Sequence, residues 1–183
     1  EKPTRKEYDE IVDKSLRKHV NKLPLLGEVK IKEIKEKVAN WNASERSRNK
    51  VIVIEQGLEF EFYNRKFYGK IDRVETDSEG NLRMIDFKTG KANKKPGNMG
   101  QEQLLLYAHA WEQNTGESPD IIAYDFVMEN KLAEADVKPI ILEKGLARLI
   151  PIIEGIDANE FEAVPDKHTC NYCDYSGICP DRY

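Results

Sequence analysis

The sequence predicts an α/β (α+β) fold, a mixed central sheet flanked by helices, followed by a cysteine-rich carboxyl-terminal tail. Two changes of periodicity and one cluster carry this reading. Apolar residues recur at helical spacing before residue 42 and again over 101–116, while 51–89 alternates with period two. The three cysteines, Cys170, Cys173 and Cys179, all lie at the very end of the chain.

The elements follow in order. Tyr8, Ile11, Val12, Leu16 and Val20 mark an amphipathic helix over 4–22, and Val29, Ile31, Ile34, Val38 and Trp41 a second over 28–41. The polar run "NASERSRNK" (42–50) reads as a loop. "VIVIEQGLEFEFY" (51–63) and "KFYGKIDRVETD" (66–77) are β-branched and aromatic strands, with a hairpin turn at "NR" between them. "DSEGN" (77–81) is a tight turn in which Gly80 can take a positive φ, and "LRMIDFKT" (82–89) completes an antiparallel meander. A Gly-, Lys- and Pro-rich loop (90–100) leads to a helix over 101–116, ended by Gly116. Further strands are expected at 120–129 and near 136–140, then a helix over 143–156 bent at Pro151. The division expected is 1–164 for the main domain and 165–183 for the tail.

Composition narrows the function classes. With 39% hydrophobic and 34% charged residues, the 183-residue chain can build one core under a heavily charged surface. No apolar run reaches the roughly 20 residues of a membrane span, and no secretory leader is visible. The first residue is Glu1, which reads as an excised or processed chain. A net charge of -4 argues against binding nucleic acid through bulk charge alone, but not against a metal-dependent enzyme whose carboxylates are neutralised by cations. Three clustered cysteines do not suit a disulfide framework; they suit a metal or cluster site in a reducing compartment, hence the cytoplasm.

The stretch "IDFKTG" (85–90) is the candidate centre. Residues two apart on a strand share a face, so Asp86 and Lys88 project together, and pairing across the 77–81 turn brings Asp72 of "GKIDRV" opposite them. By itself the Asp-Lys pair is a surface ion pair worth about 0–1 kcal/mol. With Asp72 the set suits phosphodiester hydrolysis. Carboxylates hold Mg²⁺ or Mn²⁺, the ion lowers the pKa of its bound water, and a lysine orients the water or offsets phosphate charge. Gln103 and Tyr107 follow on one face of the next helix.

"GKIDRV", "IDFKTG", "QLLLY" and "CNYCDYSGICP", in this order over about residues 51–180, resemble the PD-(D/E)XK nuclease superfamily, most closely its RecB/AddB-like branch and the CRISPR-adaptation nucleases that share an iron-sulfur tail. The resemblance implies a restriction-endonuclease-like fold and a metal-dependent deoxyribonuclease, exonuclease-like, serving as a domain beside a helicase domain or subunit in DNA repair or recombination. A catalytically inactive DNA-binding or scaffold domain is the alternative. It further implies that Asp72, Asp86 and the Phe87 backbone carbonyl bind metal and that Lys88 is catalytic. Gln103 and Tyr107 then contact DNA or support the site, and Arg73 contacts phosphate or forms a structural ion pair. Family members carry a histidine ligand on an early helix. His19 is the one histidine in that part of this chain, and it lacks the usual upstream glycine. Glu55 and Glu59 are alternative carboxylates.

Lys91, Lys94 and Lys95 make the loop after "IDFKTG" basic, either a solvated loop or a lip that meets DNA phosphates. The tail spacing C-x2-C-x5-C leaves a tetrahedral site one ligand short, which His168 could fill for Zn²⁺. In the resembling nucleases a fourth, upstream cysteine completes a four-iron four-sulfur (4Fe-4S) cluster; no such cysteine is present here.

Overall fold

The computed structural model describes residues 4–19, 27–92 and 101–183. The chain divides into two compact units, Glu1–Leu146 and Ala147–Tyr183. The first contains a five-stranded sheet in the order β1-β2-β3-β4-β5, formed by Lys50–Phe62, Arg65–Thr76, Leu82–Lys88, Ile121–Phe126 and Lys131–Asp136. Every neighbouring pair is antiparallel except β3 and β4, which run parallel. A parallel return needs a crossover, and helix α3 (Gln101–Thr115) lies in that connection. Helices α1 (Arg5–His19) and α2 (Glu28–Ala43) precede the sheet, joined by an ion pair of Lys35 Nζ with Asp13 Oδ1 at 2.5 Å.

The meander forms as expected, with its turns fixed by local chemistry. Between β1 and β2 the two turn residues are Tyr63 and Asn64, at φ 48° and 57°. Two consecutive left-handed residues are what a two-residue hairpin of the primed type needs. The turn therefore sits one residue earlier than the expected "NR", because Arg65 already pairs with Phe62. After β2, Asp77 Oδ1 accepts the backbone N–H groups of Glu79 and Asn81, both at 3.0 Å, and Gly80 takes φ 91°.

Further expectations are corrected. The last strand is Lys131–Asp136, not 136–140. Pro139 has no N–H to give a ladder and instead opens helix α4 (Pro139–Ala147), while "KLAEAD" lacks the β-branched residues that mark strands in sequence. The single bent helix over 143–156 is two helices, α4 and α5 (Ile150–Asp157), with Pro151 in the first turn of α5, where its missing N–H costs nothing. The segment expected as loop at 42–50 also contains a short 3-10 turn, Glu45–Arg48.

The core forms where α3 lies on the sheet. Leu104, Leu105, Ala108 and Trp111 of α3 pack with Leu58, Phe60, Ile71, Val74, Met84, Ile122, Tyr124 and Phe126. Each large residue truncated there would cost about 2–5 kcal/mol. The second unit contains α5 and a short helix α6 (Lys167–Tyr172), capped by Asp166, whose carboxylate accepts the N–H groups of His168 and Thr169.

Candidate active site

β2 and β3 pair regularly from Thr76 and Leu82 up to Arg73 and Ile85. One step further the ladder ends, and the next bond is made by a side chain: the Phe87 N–H donates to Asp72 Oδ2 at 2.8 Å. A carboxylate has replaced a strand carbonyl as acceptor. This fixes Asp72 beside the end of β3.

Asp86 and Lys88 share the face of β3 that also carries Met84, a core residue. Lys88 Nζ lies 2.6 Å from Asp86 Oδ2, an ionic contact; that oxygen is buried and receives no hydrogen bond of good geometry. Burial holds the Asp86 carboxyl above its ordinary pKa. Lys88 pulls the other way by favouring the charged form, and the negative charge of Asp72 adds to the rise. The carboxylate pair is thus electrostatically coupled, with an ammonium against one member.

β4 supplies the wall. Tyr124 is the parallel neighbour of Asp86, and its ring lies under the Lys88 ammonium, 5.0 Å from Nζ to ring centroid. Its phenol pKa is pushed up to about 12, first by burial and then by the charge of Asp86, with Glu102 and Tyr107 contributing. Those last two residues come from the amino-terminal half of α3, which brings the helix to the same place. Gln103 Nε2 donates to Tyr107 Oη at 3.2 Å. Tyr107 can approach because Gly69 of β2 has no side chain: a Cβ there would sit 2.6 Å from the tyrosine Cε1.

The opposite face of β3 is built differently. Phe87 points there and meets Trp41 of α2 edge-on, with centroids 5.6 Å apart at 83°. Trp41 Nε1 donates to Asp125 Oδ2 at 2.7 Å, and Arg46 pairs with the same carboxylate at 3.3 Å. Arg73 faces this side too, buried, with its Nε 2.5 Å from Glu75 Oε2. It therefore sits in an internal ion pair, across the sheet from Asp86.

The remaining candidates fall elsewhere. Lys91 is exposed, while Lys94, Lys95 and the His19 side chain lie outside the described residues. Glu55 pairs with Lys70, and Glu59 is exposed. Among the described residues no three His, Cys, Asp or Glu side chains converge enough to hold a metal ion unaided. Two hard carboxylates nevertheless fit Mg²⁺, which commonly takes one or two carboxylates and completes its shell with water and substrate phosphate. Among the described residues the tail side chains are not gathered into a ready-made cluster. Cys170 lies within α6, Cys173 at its end and Cys179 beyond a turn closed by Cys179 N–H to Tyr175 C=O, and His168 packs on Tyr172 instead.

Tyr124, Trp41 and Asp125 went unrecognised in the sequence as parts of this region. Asp125 did leave a signal, a lone charge inside the apolar run "IIAYDF". Tyr124 left none, since an aromatic in a buried strand reads as core.

Residues 1–180 match the family profile described as the PD-(D/E)XK nuclease superfamily. The "Gene 69 protein" of Mycobacterium phage D29 is 34% identical over 133 residues, covering 69% of this chain and 47% of that protein, so the chain spans about half the length of this relative. A crystal structure from Eubacterium rectale, described as a "Putative exonuclease", superposes with a TM-score of 0.57 over 95% of this chain and 74% of the other, at 18% identity. That likeness is one of fold. No helix among the described residues is long and apolar enough to cross a membrane.

Proposed function

The chain belongs to the PD-(D/E)XK nuclease superfamily, and from that premise we propose that it hydrolyses DNA phosphodiester bonds as an exonuclease, with Mg²⁺ or Mn²⁺ at Asp72 and Asp86. The observation that carries this reading is the contact of Lys88 with Asp86 on the face beside Asp72. The Phe87 carbonyl and His19 are further candidate ligands. When bound, the metal would supply Lewis-acid stabilisation of charge on the phosphate oxygens and an acidified water. The residues do the rest. Asp72 is held by the Phe87 N–H, so its carboxylate is oriented before any ligand arrives. Lys88 orients the water and offsets the charge that develops; the water oxygen forms the new bond to phosphorus as the bridging P–O bond breaks, the attacking water gives up a proton to solvent, and the leaving oxygen takes one from solvent. Gln103 and Tyr107 support the substrate strand from α3, with Lys91, Lys94 and Lys95 as a basic lip toward the phosphates.

In this reading the protein is of the RecB/AddB-like branch, works in the cytoplasm in DNA repair or recombination, and acts beside a helicase domain or subunit. The tail forms a separate part of the proposal: Cys170, Cys173 and Cys179 bind a 4Fe-4S cluster with a thiolate from outside this chain, or Zn²⁺ with His168. Iron, sulfide and zinc contents of anaerobically prepared protein discriminate among cluster, zinc and neither.

The cleavage test uses linear single- and double-stranded DNA with Mg²⁺ or Mn²⁺. Wild type is expected to degrade it, and Asp86→Ala and Lys88→Ala to lose about a hundredfold or more in rate. Wild type that binds DNA without cutting it would replace this proposal with that of a DNA-binding scaffold.

A further inference from the structure

We propose that Tyr124 is a positioning residue for Lys88: its ring face is the floor that holds the ammonium against the Asp86 carboxylate and aims it at the scissile phosphate. This rests on the nuclease reading above. Four observations place the tyrosine. It is the cross-strand neighbour of Asp86 in the parallel β3–β4 pair, so register puts both on one face. The Lys88 Nζ lies 5.0 Å above its ring centroid and 2.6 Å from Asp86, which gives the cation two fixed partners from different directions. The ring is buried at 6% exposure and tilted against Phe126 with centroids 6.5 Å apart, so it is fixed in place. The lysine side chain, by contrast, is 39% exposed.

That contrast gives the ring its use. A lysine on a flexible four-carbon stem, with a single carboxylate beside it, samples many directions in water. A cation over an aromatic face is confined to the negative region of the ring quadrupole. A tyrosine phenol is neutral near pH 7, so the platform carries no charge of its own to trap the ammonium or repel a phosphate.

A packing role and a positioning role separate in two variants. Tyr124→Phe keeps the ring face, and Tyr124→Met keeps an apolar side chain without one. We expect Phe, which keeps the ring face, to retain more of the wild-type kcat than Met. Met should lose about 3- to 30-fold in kcat with KM for DNA unchanged, the range a cation–ring contact supports. An independent spectroscopic reading uses metal-free, isotope-labelled protein without DNA. The Lys88 ε-methylene protons should be shifted upfield by the ring current in wild type and Phe, and should return to ordinary positions in Met. Wild type that fails to cleave DNA would defeat the nuclease reading while leaving this signature to be measured. Cleaving wild type with no ring-current shift, or a folded Met variant with full kcat, would overturn the role of Tyr124. If Met fails to fold, the signature in wild type and Phe still decides.

Discussion

Asp86 is a carboxylate placed against its own stability. Burial raises its pKa above the ordinary 3.8, so the folded protein binds a proton more tightly there than the unfolded chain does. The stability it contributes is complete below that ordinary value and is lost as pH rises through the raised one. Metal-free Asp86→Asn should therefore melt higher than wild type at pH 7, by on the order of 2 °C, with the gap closing below the ordinary carboxylate range. Thermal unfolding across pH measures this, and equal or lower melting at pH 7 would contradict it. The residues of this pair were legible because period two on a strand is simple geometry. Arg73, one position from Asp72, lies on the other face as the same period requires, and its contact with Glu75 is the structural ion pair, one of the two readings its sequence position left open. The tyrosine beneath Lys88 was illegible, because its partner is 36 positions away in sequence and strand order alone sets them together.

At the scale of elements, α3 and β2 meet through an absence. Gly69 leaves the space that the Tyr107 ring takes. Gly69→Ala would force that ring away from β2 and disturb its bond to Gln103, at an expected cost of about 1–3 kcal/mol. Cleavage should fall by more than stability explains, and Gly69→Ala combined with Tyr107→Ala should cleave like Tyr107→Ala alone; denaturant unfolding and initial rates read both. Helix α3 and the meander were readable from periodicity because their apolar faces are continuous. The last strand was not, since Lys131–Asp136 is made of residues with weak strand preference and owes its place to β4 beside it. The division of α4 from α5 was half-readable: Pro151 signalled a break, but proline suits the start of a helix as well as a bend.

For the molecule as a whole, the proposed metal should act as a stabilising ligand. An ion that binds the folded state and not the unfolded one adds about 2.7 kcal/mol at a hundred times its Kd. Mg²⁺ or Mn²⁺ should then raise the melting temperature by on the order of 5–10 °C, reversibly with chelator, and leave Asp86→Ala unmoved. A wild-type midpoint indifferent to both ions would count against metal at Asp72 and Asp86. The order of elements was enough to anticipate a mixed sheet with flanking helices. The tail was organised in sequence only by its cysteines, and what forms there locally is a six-residue helix set by the Asp166 cap, a device visible only once the backbone is in place.

The bond from the Phe87 amide to Asp72 gives one side chain two employments. It is a candidate ligand and also the substitute that ends a strand ladder without leaving a donor stranded. Alanine at this position withdraws both at once, and an inactive protein would then be ambiguous between an empty coordination sphere and a frayed β3. Asparagine separates them, since its amide oxygen still accepts from Phe87 while the negative charge is gone.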